Sequence, residues 1–424
     1  MSAAAAPRPL PPIRIPLAVP QIGARERAEV DACLASGWVS GAGPWVERFE
    51  GELARRTRRR CAVATSNGTA ALHLALRALR IGPGELVLVP ALSFVAPANA
   101  VRYAGATPVF ADVDPVHWQL DPQPVEHFLR EGCRRREGGL FERASGARVR
   151  ALLAVHVLGH PAPLSELAAL ARAHGLALIE DAAEALGADC AGAPVGSQGD
   201  VACFSFNGNK TATAGGGGML VSNDPALAAR ARYLAAQAKD DPVEFVHGEV
   251  GFNYALSSLQ AALGLAQLEQ LEAFVARKRA IARRYAEALG EVAGLSFPAE
   301  ASWARSSCWL SALRIDAGRF GCDRVALAAA LRARGIETRP LWQPLHRSPA
   351  HAGAPLASER GCPVAEQLQR EVLCLPCSTG LSEDDQREVI EAVRACARAS
   401  SQPASSRSKG VSMSSERSRG ITRA

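Results

Sequence analysis

The stretch VACFSFNGNKTATAGGGGMLVSN, residues 201–223, places a lysine and a run of four glycines between two short apolar segments. VACFSF (201–206) and GMLVSN (218–223) read as buried strands, because each is a brief apolar run bounded by polar and glycine-rich turns. Lys210 therefore stands just past the carboxyl end of a strand, where α/β sheets place their ligands. Upstream the same pattern repeats: CAVAT (61–65), LVLVP (86–90), PVFADVD (108–114), ALLAVHVL (151–158) and LALIED (176–181) alternate with helical stretches. Such alternation predicts a parallel sheet flanked by helices. Downstream, SLQAALGLAQLEQLEAFVARKRAIARRYAEAL repeats its apolar residues at helical spacing and reads as a long helix linking to a second domain. In that domain CWLSALRID (308–316) and IETRPLW (336–342) read as strand-like and RVALAAALRARG (324–335) as a helix, a smaller α+β unit.

Lysine usage sharpens the interest in residue 210. Of the 48 Lys and Arg residues only four are lysine, at 210, 239, 278 and 409. A guanidinium stays protonated and forms no Schiff base, so a lysine kept in an arginine-biased chain is a candidate reactive amine. Lys239 falls in a polar loop, Lys278 in the basic run ARKRA of a helix and Lys409 in the C-terminal tail, positions that need no reactive amine. TSNGTAALHLAL (65–76) reads as strand, turn and helix, which aims backbone N–H groups at an anion such as a phosphate. Ser, Asn and Thr also cap helices for structural reasons alone. IEDAAEALG (179–187) ends an apolar strand in Glu180 and Asp181; a carboxylate there needs a cationic partner, unless it serves as a helix cap. A pyridinium nitrogen is one such partner, so a phosphate cradle, a buried acid and a lysine at one sheet edge fit a single cofactor, pyridoxal 5'-phosphate.

The chain has 424 residues, 48% hydrophobic and 21% charged, enough for about two domains. The net charge of +6 divides into +2 from segment 1–20 and +4 from segment 399–424, leaving a neutral body without the basic face that nucleic-acid binding requires. The Pro-broken N-terminus is unlike a signal peptide, and no apolar run approaches the roughly 20 residues of a membrane span. Eleven irregularly spaced cysteines are unlike a secreted disulfide framework, so a cytoplasmic location is expected. Cys374 and Cys377 in CLPC lack a second ligand pair at zinc spacing, and no metal is expected. GGGG at 215–218 leads into a strand and forms no GxGxxG between a strand and a helix, which argues against a dinucleotide oxidoreductase.

Across residues 16–398 the chain resembles the DegT/DnrJ/EryC1/StrS family of sugar aminotransferases. The resemblance rests on SNGTAALHLAL, VPALSFVAPANAVRYAGATPVFADVDP, VHVLGHPA, GLALIEDAAEALGA, GDVACFSFNGNK, AGGGGMLVSND, GFNYALSSLQAALGLAQL and TRPLWQPLH. It implies the type I (aspartate aminotransferase-like) pyridoxal-phosphate transferase fold, with a central mixed sheet and a smaller C-terminal α+β domain. The expected organisation is a disordered tail over 1–15, a large domain with its linking helix over 16–288, a small domain over 289–398 and a disordered Ser/Arg-rich tail over 399–424. It further implies a homodimer and an amino-acid donor such as glutamate. By resemblance Lys210 bears the cofactor and moves protons, Asp181 pairs with the pyridine nitrogen, and Phe94 stacks on the ring. Gly68, Thr69 and Ser205 bind the phosphate, Asn253 reaches in from the second subunit, and Glu184 meets the ring-hydroxyl face. His156, His160, Arg339, Trp342 and His346 are expected to face a nucleotide-linked keto sugar. FNGNK, DAAE, VLGHP and TRPLW resemble the branch that aminates C4 of 4-keto-6-deoxy-2-acetamido sugars on routes to legionaminic acid or bacillosamine. The alternatives are a sugar dehydratase, whose relatives carry histidine in place of the lysine, and a non-catalytic relative of the same fold.

Overall fold

The short apolar runs become strands because both of their faces are covered, as a computed structural model describing residues 10–241 and 243–400 shows. Seven of them, β1 (Cys61–Thr65), β2 (Glu85–Pro90), β3 (Thr107–Ala111), β4 (Arg148–Val155), β5 (Ala177–Asp181), β6 (Val201–Ser205) and β7 (Gly218–Ser222), lie side by side in the order β1-β7-β6-β5-β4-β2-β3. Val87 and Val89 pack into one apolar cluster and Leu86 and Leu88 into the other, so the pleat feeds a core on each face. The pairs from β6 to β3 are parallel, whereas β7 runs antiparallel to both β1 and β6. The sheet is therefore mixed. The reversal follows from the connection: β6 returns to β7 through the lysine–glycine loop, with no helical crossover of the kind parallel neighbours need. As a result the carboxyl ends of β1, β2, β4, β5 and β6 and the start of β7 share one edge.

An antiparallel hairpin of Cys133–Arg136 and Gly139–Glu142 adjoins β4. Its exposed arginines carry no apolar alternation, which left it invisible to pattern reading. The long helix expected after Asn253 is two helices, Ser258–Glu269 and Leu271–Leu289, separated at Gln270 with φ −103° and ψ 2°. Beyond them β8 (Leu295–Ser296), β9 (Ser311–Ile315), β10 (Arg339–Pro340) and β11 (Val372–Leu375) form an antiparallel sheet in the order β8-β9-β11-β10. Of the expected 336–342 strand, Arg339 and Pro340 pair with β11 and Ile336 bridges Ile15, and Pro340, having no N–H, sits in an edge strand. Leu313 and Leu373 of this sheet belong to the same apolar cluster as Val87, so the small unit is continuous with one face of the large one.

Order begins before the expected boundary at residue 16. Arg14 and Ile15 donate to the Gly335 carbonyl, Glu337 donates to the Ile15 carbonyl, and Ile15 is buried. The apolar pair Ile15 and Leu17 pins this segment to the small unit. Residues 1–9 and the tail beyond residue 400 lie outside the described residues. Among those described, no helix is long and apolar enough to cross a membrane.

Candidate active site

Lys210 emerges from the loop after β6, where its amide donates to the Asn207 carbonyl at 3.0 Å. Its Nζ lies 3.6 Å from Glu184 Oε1 and 3.9 Å from the centre of the Trp309 ring. Burial lowers the pKa of this amine, against the opposing pull of Glu184 and Asp181. The side chain lines a cavity of about 280 Å³ whose wall also includes Gly68, Thr69, Phe94, Asp181, Glu184 and Ser205. Arg339 and Trp342, from the small unit, line it as well. The sheet edge and the small unit thus bring together nine residues that sequence reading selected from separate motifs.

The two acids of IED serve opposite faces, as neighbours on a strand must. Glu180 turns away from the cavity and accepts the amides of Gly196, Gln198 and Gly199 at 2.8, 3.0 and 2.6 Å. His156 Nε2–H donates to it at 3.2 Å, and Arg59 approaches to 3.8 Å. Burial works to raise its pKa, but His156 and the amides outweigh that and hold it below the usual carboxylate range. Asp181 faces the cavity with less support: the Ala183 amide donates to Oδ1 at 3.1 Å, and burial pushes its carboxyl above the usual range. A buried carboxylate held this way is stabilised by any cation delivered to the cavity.

Glu184, one helical turn beyond Asp181 in sequence, accepts the Leu158 amide at 2.8 Å on Oε2. Burial raises its pKa to about 7, with Lys210 lowering it. At the opposite wall the helix Gly68–Ala78 begins, capped by Asn67, which accepts the Ala70 amide at 2.8 Å. A Cβ at Gly68 would stand 2.9 Å from Ser205 Cβ, so glycine is what lets the helix terminus reach the β6 edge. Phe94 is 53% exposed at this cavity, an apolar ring left for a planar ligand. An anion at the helix terminus, a ring cation at Asp181 and a carbonyl carbon at Lys210 describe pyridoxal phosphate, and the residues present fit it.

Three expected substrate residues are not brought to the cavity. His156 is fully buried, with Nδ1 accepting the Ala162 amide at 3.0 Å and Nε2–H committed to Glu180. His160 Nδ1–H donates to the Pro161 carbonyl at 2.9 Å and Nε2 accepts the Ala301 amide at 3.0 Å, a neutral tether between the two units. His346 Nε2–H donates to Glu366 at 3.0 Å. Their positions satisfy the backbone or a surface acid, a use that a lone histidine in sequence does not disclose. Asn253 pairs with Ala236 and does not line the cavity of its own chain.

Sequence reading missed Trp309, whose Nε1–H donates to the Asn209 carbonyl at 2.7 Å and whose ring covers Lys210. It also gave Lys278 no role beyond the basic run ARKRA of a helix, and the structure gives it one. Lys278 is 3% exposed, and Nζ donates to the carbonyls of Trp309 at 2.9 Å and Cys377 at 3.0 Å. The signal was present: Leu271, Phe274, Val275, Lys278, Ile281 and Tyr285 fall on one buried helical stripe. Lys278→Met leaves the buried Cys377 carbonyl without its lysine donor and the Trp309 carbonyl with only the weak Cys377 thiol at 3.5 Å, so it is expected to lower the unfolding free energy by about 2 kcal/mol. Urea unfolding of wild type and variant measures this; an unchanged midpoint would remove the clamp from the account.

A DegT/DnrJ/EryC1/StrS aminotransferase family model matches residues 20–394. The chain is 40% identical over 379 residues to EpsN of Bacillus subtilis, covering 89% of this chain and 94% of that one. It is 38% identical over 381 residues to a GDP-perosamine synthase of Caulobacter vibrioides, covering 90% and 97%. Among solved structures, the aminotransferase TlmJ of Streptoalloteichus hindustanus superposes with a TM-score of 0.81 at 35% identity, covering 91% of this chain and 99% of that one. DesV of S. venezuelae gives 0.79 at 35% identity, covering 90% and 99%.

Proposed function

Because the chain belongs to the DegT/DnrJ/EryC1/StrS aminotransferase family, we propose that it moves an amino group from glutamate to C4 of a nucleotide-diphospho-4-keto-6-deoxy-2-acetamido sugar for surface-glycan synthesis. The protein is a pyridoxal-phosphate-dependent sugar aminotransferase. When bound, the cofactor supplies an electron sink for the carbon that loses or gains a proton beside nitrogen. The observation that carries the assignment of roles is the position of Lys210 Nζ, between Glu184 and the Trp309 ring at a cavity with Asp181 in its wall.

Lys210 would hold the cofactor through its amine, and the same amine would carry the proton between cofactor and substrate carbons. Burial lowers its pKa and so enlarges the neutral fraction able to take a proton near neutral pH. Asp181 would keep the ring nitrogen protonated, Gly68, Thr69 and Ser205 would hold the phosphate, and Phe94 would offer its face to the ring. Trp309 shields Lys210 from water. Arg339 and Trp342 receive the sugar nucleotide, the guanidinium being suited to a diphosphate. In the homodimer that completes this reading, Asn253 of the partner subunit reaches the phosphate.

Glu184 adds a pH dependence. With its pKa raised to about 7 by burial, its carboxyl is protonated below that pH and ionised above it. Glu184→Gln, which imitates the protonated form at every pH, is expected to abolish the limb near pH 7 in the glutamate half-reaction while changing the acid-side rate by less than about tenfold. Stopped-flow rates across pH 5–9 read this out, and a limb that survives in the variant assigns the titration elsewhere.

The function is tested with glutamate carrying an isotopically labelled amino nitrogen and a 4-keto-6-deoxy-2-acetamido sugar on UDP. Label in the sugar product and parallel lines in double-reciprocal plots are expected. Intersecting lines, or an unlabelled product that has lost a hydroxyl, would overturn the reading in favour of a ternary complex or a dehydratase. Similarity to the GDP-perosamine synthase favours a second reading, in which the carrier is GDP. The matching GDP-linked sugar in the same assay separates the two by kcat/KM.

A further inference from the structure

A cavity of about 550 Å³ opens behind the turn Val157–Gly159 and shares no lining residue with the cavity at Lys210. Both units and the helix between them build it: His117 and Leu158 from the large unit, Ala280 and Arg283 from the helix, Phe297 and Ser311 from the small one. Its volume falls within the range of pockets that hold small ligands. Ser311 is 4% exposed and lines this cavity, and its Oγ, shielded in this rotamer, has no hydrogen-bond partner among the described residues. A buried hydroxyl in that condition is satisfied by a polar group brought in from outside the chain. Arg279, Arg283 and Arg305 line the cavity with the acid Glu300, and Arg305 is turned to Asp189 at 3.3 Å and to the Gly187 carbonyl at 3.4 Å, so Arg283 carries the uncommitted positive charge of the lining. Arg279 is committed to Glu300 at 2.5 Å and to the Ser306 carbonyl at 2.7 Å. Arg283 is 74% exposed and among the described residues approaches one acid, Glu287, at 3.8 Å, which leaves its guanidinium available. Phe297, Leu310 and Ala312 supply apolar wall.

The wall of this cavity is also the back of the active site. The Leu158 side chain lines the cavity while its amide holds Glu184 Oε2 at 2.8 Å. Cys308 lines the cavity too, and it sits between Ser307, whose Oγ donates to the Glu184 carbonyl at 3.2 Å, and Trp309, which covers Lys210. Leu158 and Cys308 both adopt positive φ, 58° and 51°, a backbone conformation that non-glycine residues hold only where their surroundings enforce it. A ligand that presses on either side chain therefore acts on the two backbone segments that position Glu184 and Trp309.

We propose that this second cavity binds a small organic anion with an apolar body, and that its occupancy is transmitted through Leu158 and Cys308 to Lys210. The anionic group meets Arg283, a polar atom of the ligand meets Ser311 Oγ once that hydroxyl rotates into the cavity, and the apolar body lies against Phe297 and Leu310. Binding stands on the cavity alone; transmission rests on the role given to Lys210 above, and the experiment separates them. The probe is 8-anilinonaphthalene-1-sulfonate, an organic anion whose fluorescence rises in an apolar site, added to the cofactor-loaded protein. Ala280→Trp, at a half-buried helix position facing the cavity, fills it and is expected to weaken binding by at least about tenfold through steric exclusion. Arg283→Glu, at an exposed position, is expected to weaken it by about threefold. Both variants should keep the wild-type unfolding midpoint and cofactor content. Transmission is read as the rate at which borohydride fixes the cofactor to Lys210, followed by peptide mass. Saturating probe should change that rate in wild type and leave it unchanged in Ala280→Trp. Absence of binding, or equal binding by Ala280→Trp, overturns the site. Binding lost in Ala280→Trp but without effect on the wild-type trapping rate overturns the transmission.

Discussion

Lys210→Ala is expected to lower amino transfer by at least ~10⁴-fold, the upper end of what a positioned acid/base contributes, and to abolish the visible absorption of the lysine-bound cofactor. The size of the effect follows from the amine having two duties, holding the cofactor and moving the proton, with Glu184 the acid nearest to it at 3.6 Å. A carboxyl cannot bind a carbonyl carbon as an amine does, so it offers no substitute for the first duty. Stability should hold, because the substitution removes a buried amine whose charged form burial disfavours. The variant's unfolding midpoint checks that, and a small primary amine in the buffer should restore part of the rate by replacing the proton carrier. A variant within about tenfold of wild type would contradict the acid/base role.

Asp181→Asn is expected to have the second largest effect. The side chains are isosteric, and the amide oxygen can still accept the Ala183 amide that Oδ1 accepts at 3.1 Å, so the loop after β5 should keep its shape. What is lost is the negative charge opposite a buried ring cation. Breaking a buried pair by neutralising one partner costs about 3–5 kcal/mol, which corresponds to roughly 10²–10³-fold or more in rate, with cofactor affinity falling in the same direction. Titration of the apoprotein with pyridoxal phosphate and steady-state kcat measure the two parts. An unchanged cofactor affinity together with an unchanged kcat would place the ring nitrogen away from Asp181.

The sheet was legible because its strands are buried on both faces and bounded by turn residues; LVLVP and VACFS declare themselves by composition. The lysine loop was legible because lysine is rare in this chain and because VACFSF and GMLVSN bracket it. The pairing direction of β7 was not, since it depends on how the chain returns from β6 rather than on any residue within either strand. The division of labour between Glu180 and Asp181 was half legible: alternation separates their faces, but only the packing of Gly196–Gly199 and His156 decides which face is the structural one. Trp309 meets the Lys210 loop across a separation of 100 residues, and no local pattern announces such a contact. The histidines mislead for a related reason, since a buried imidazole that ties two backbone segments looks in sequence like one that meets a substrate.

Borohydride reduction of the cofactor-loaded protein, followed by peptide mass analysis, tests the central claim most directly, since reduction fixes the cofactor to whichever amine carries it. The chain offers four lysines, and Lys278 is already buried against two carbonyls. The account predicts the cofactor on the peptide that contains Lys210, and its loss from that peptide when glutamate is added before reduction. Label on Lys239, Lys278 or Lys409, or label on Lys210 that glutamate does not prevent, would contradict it.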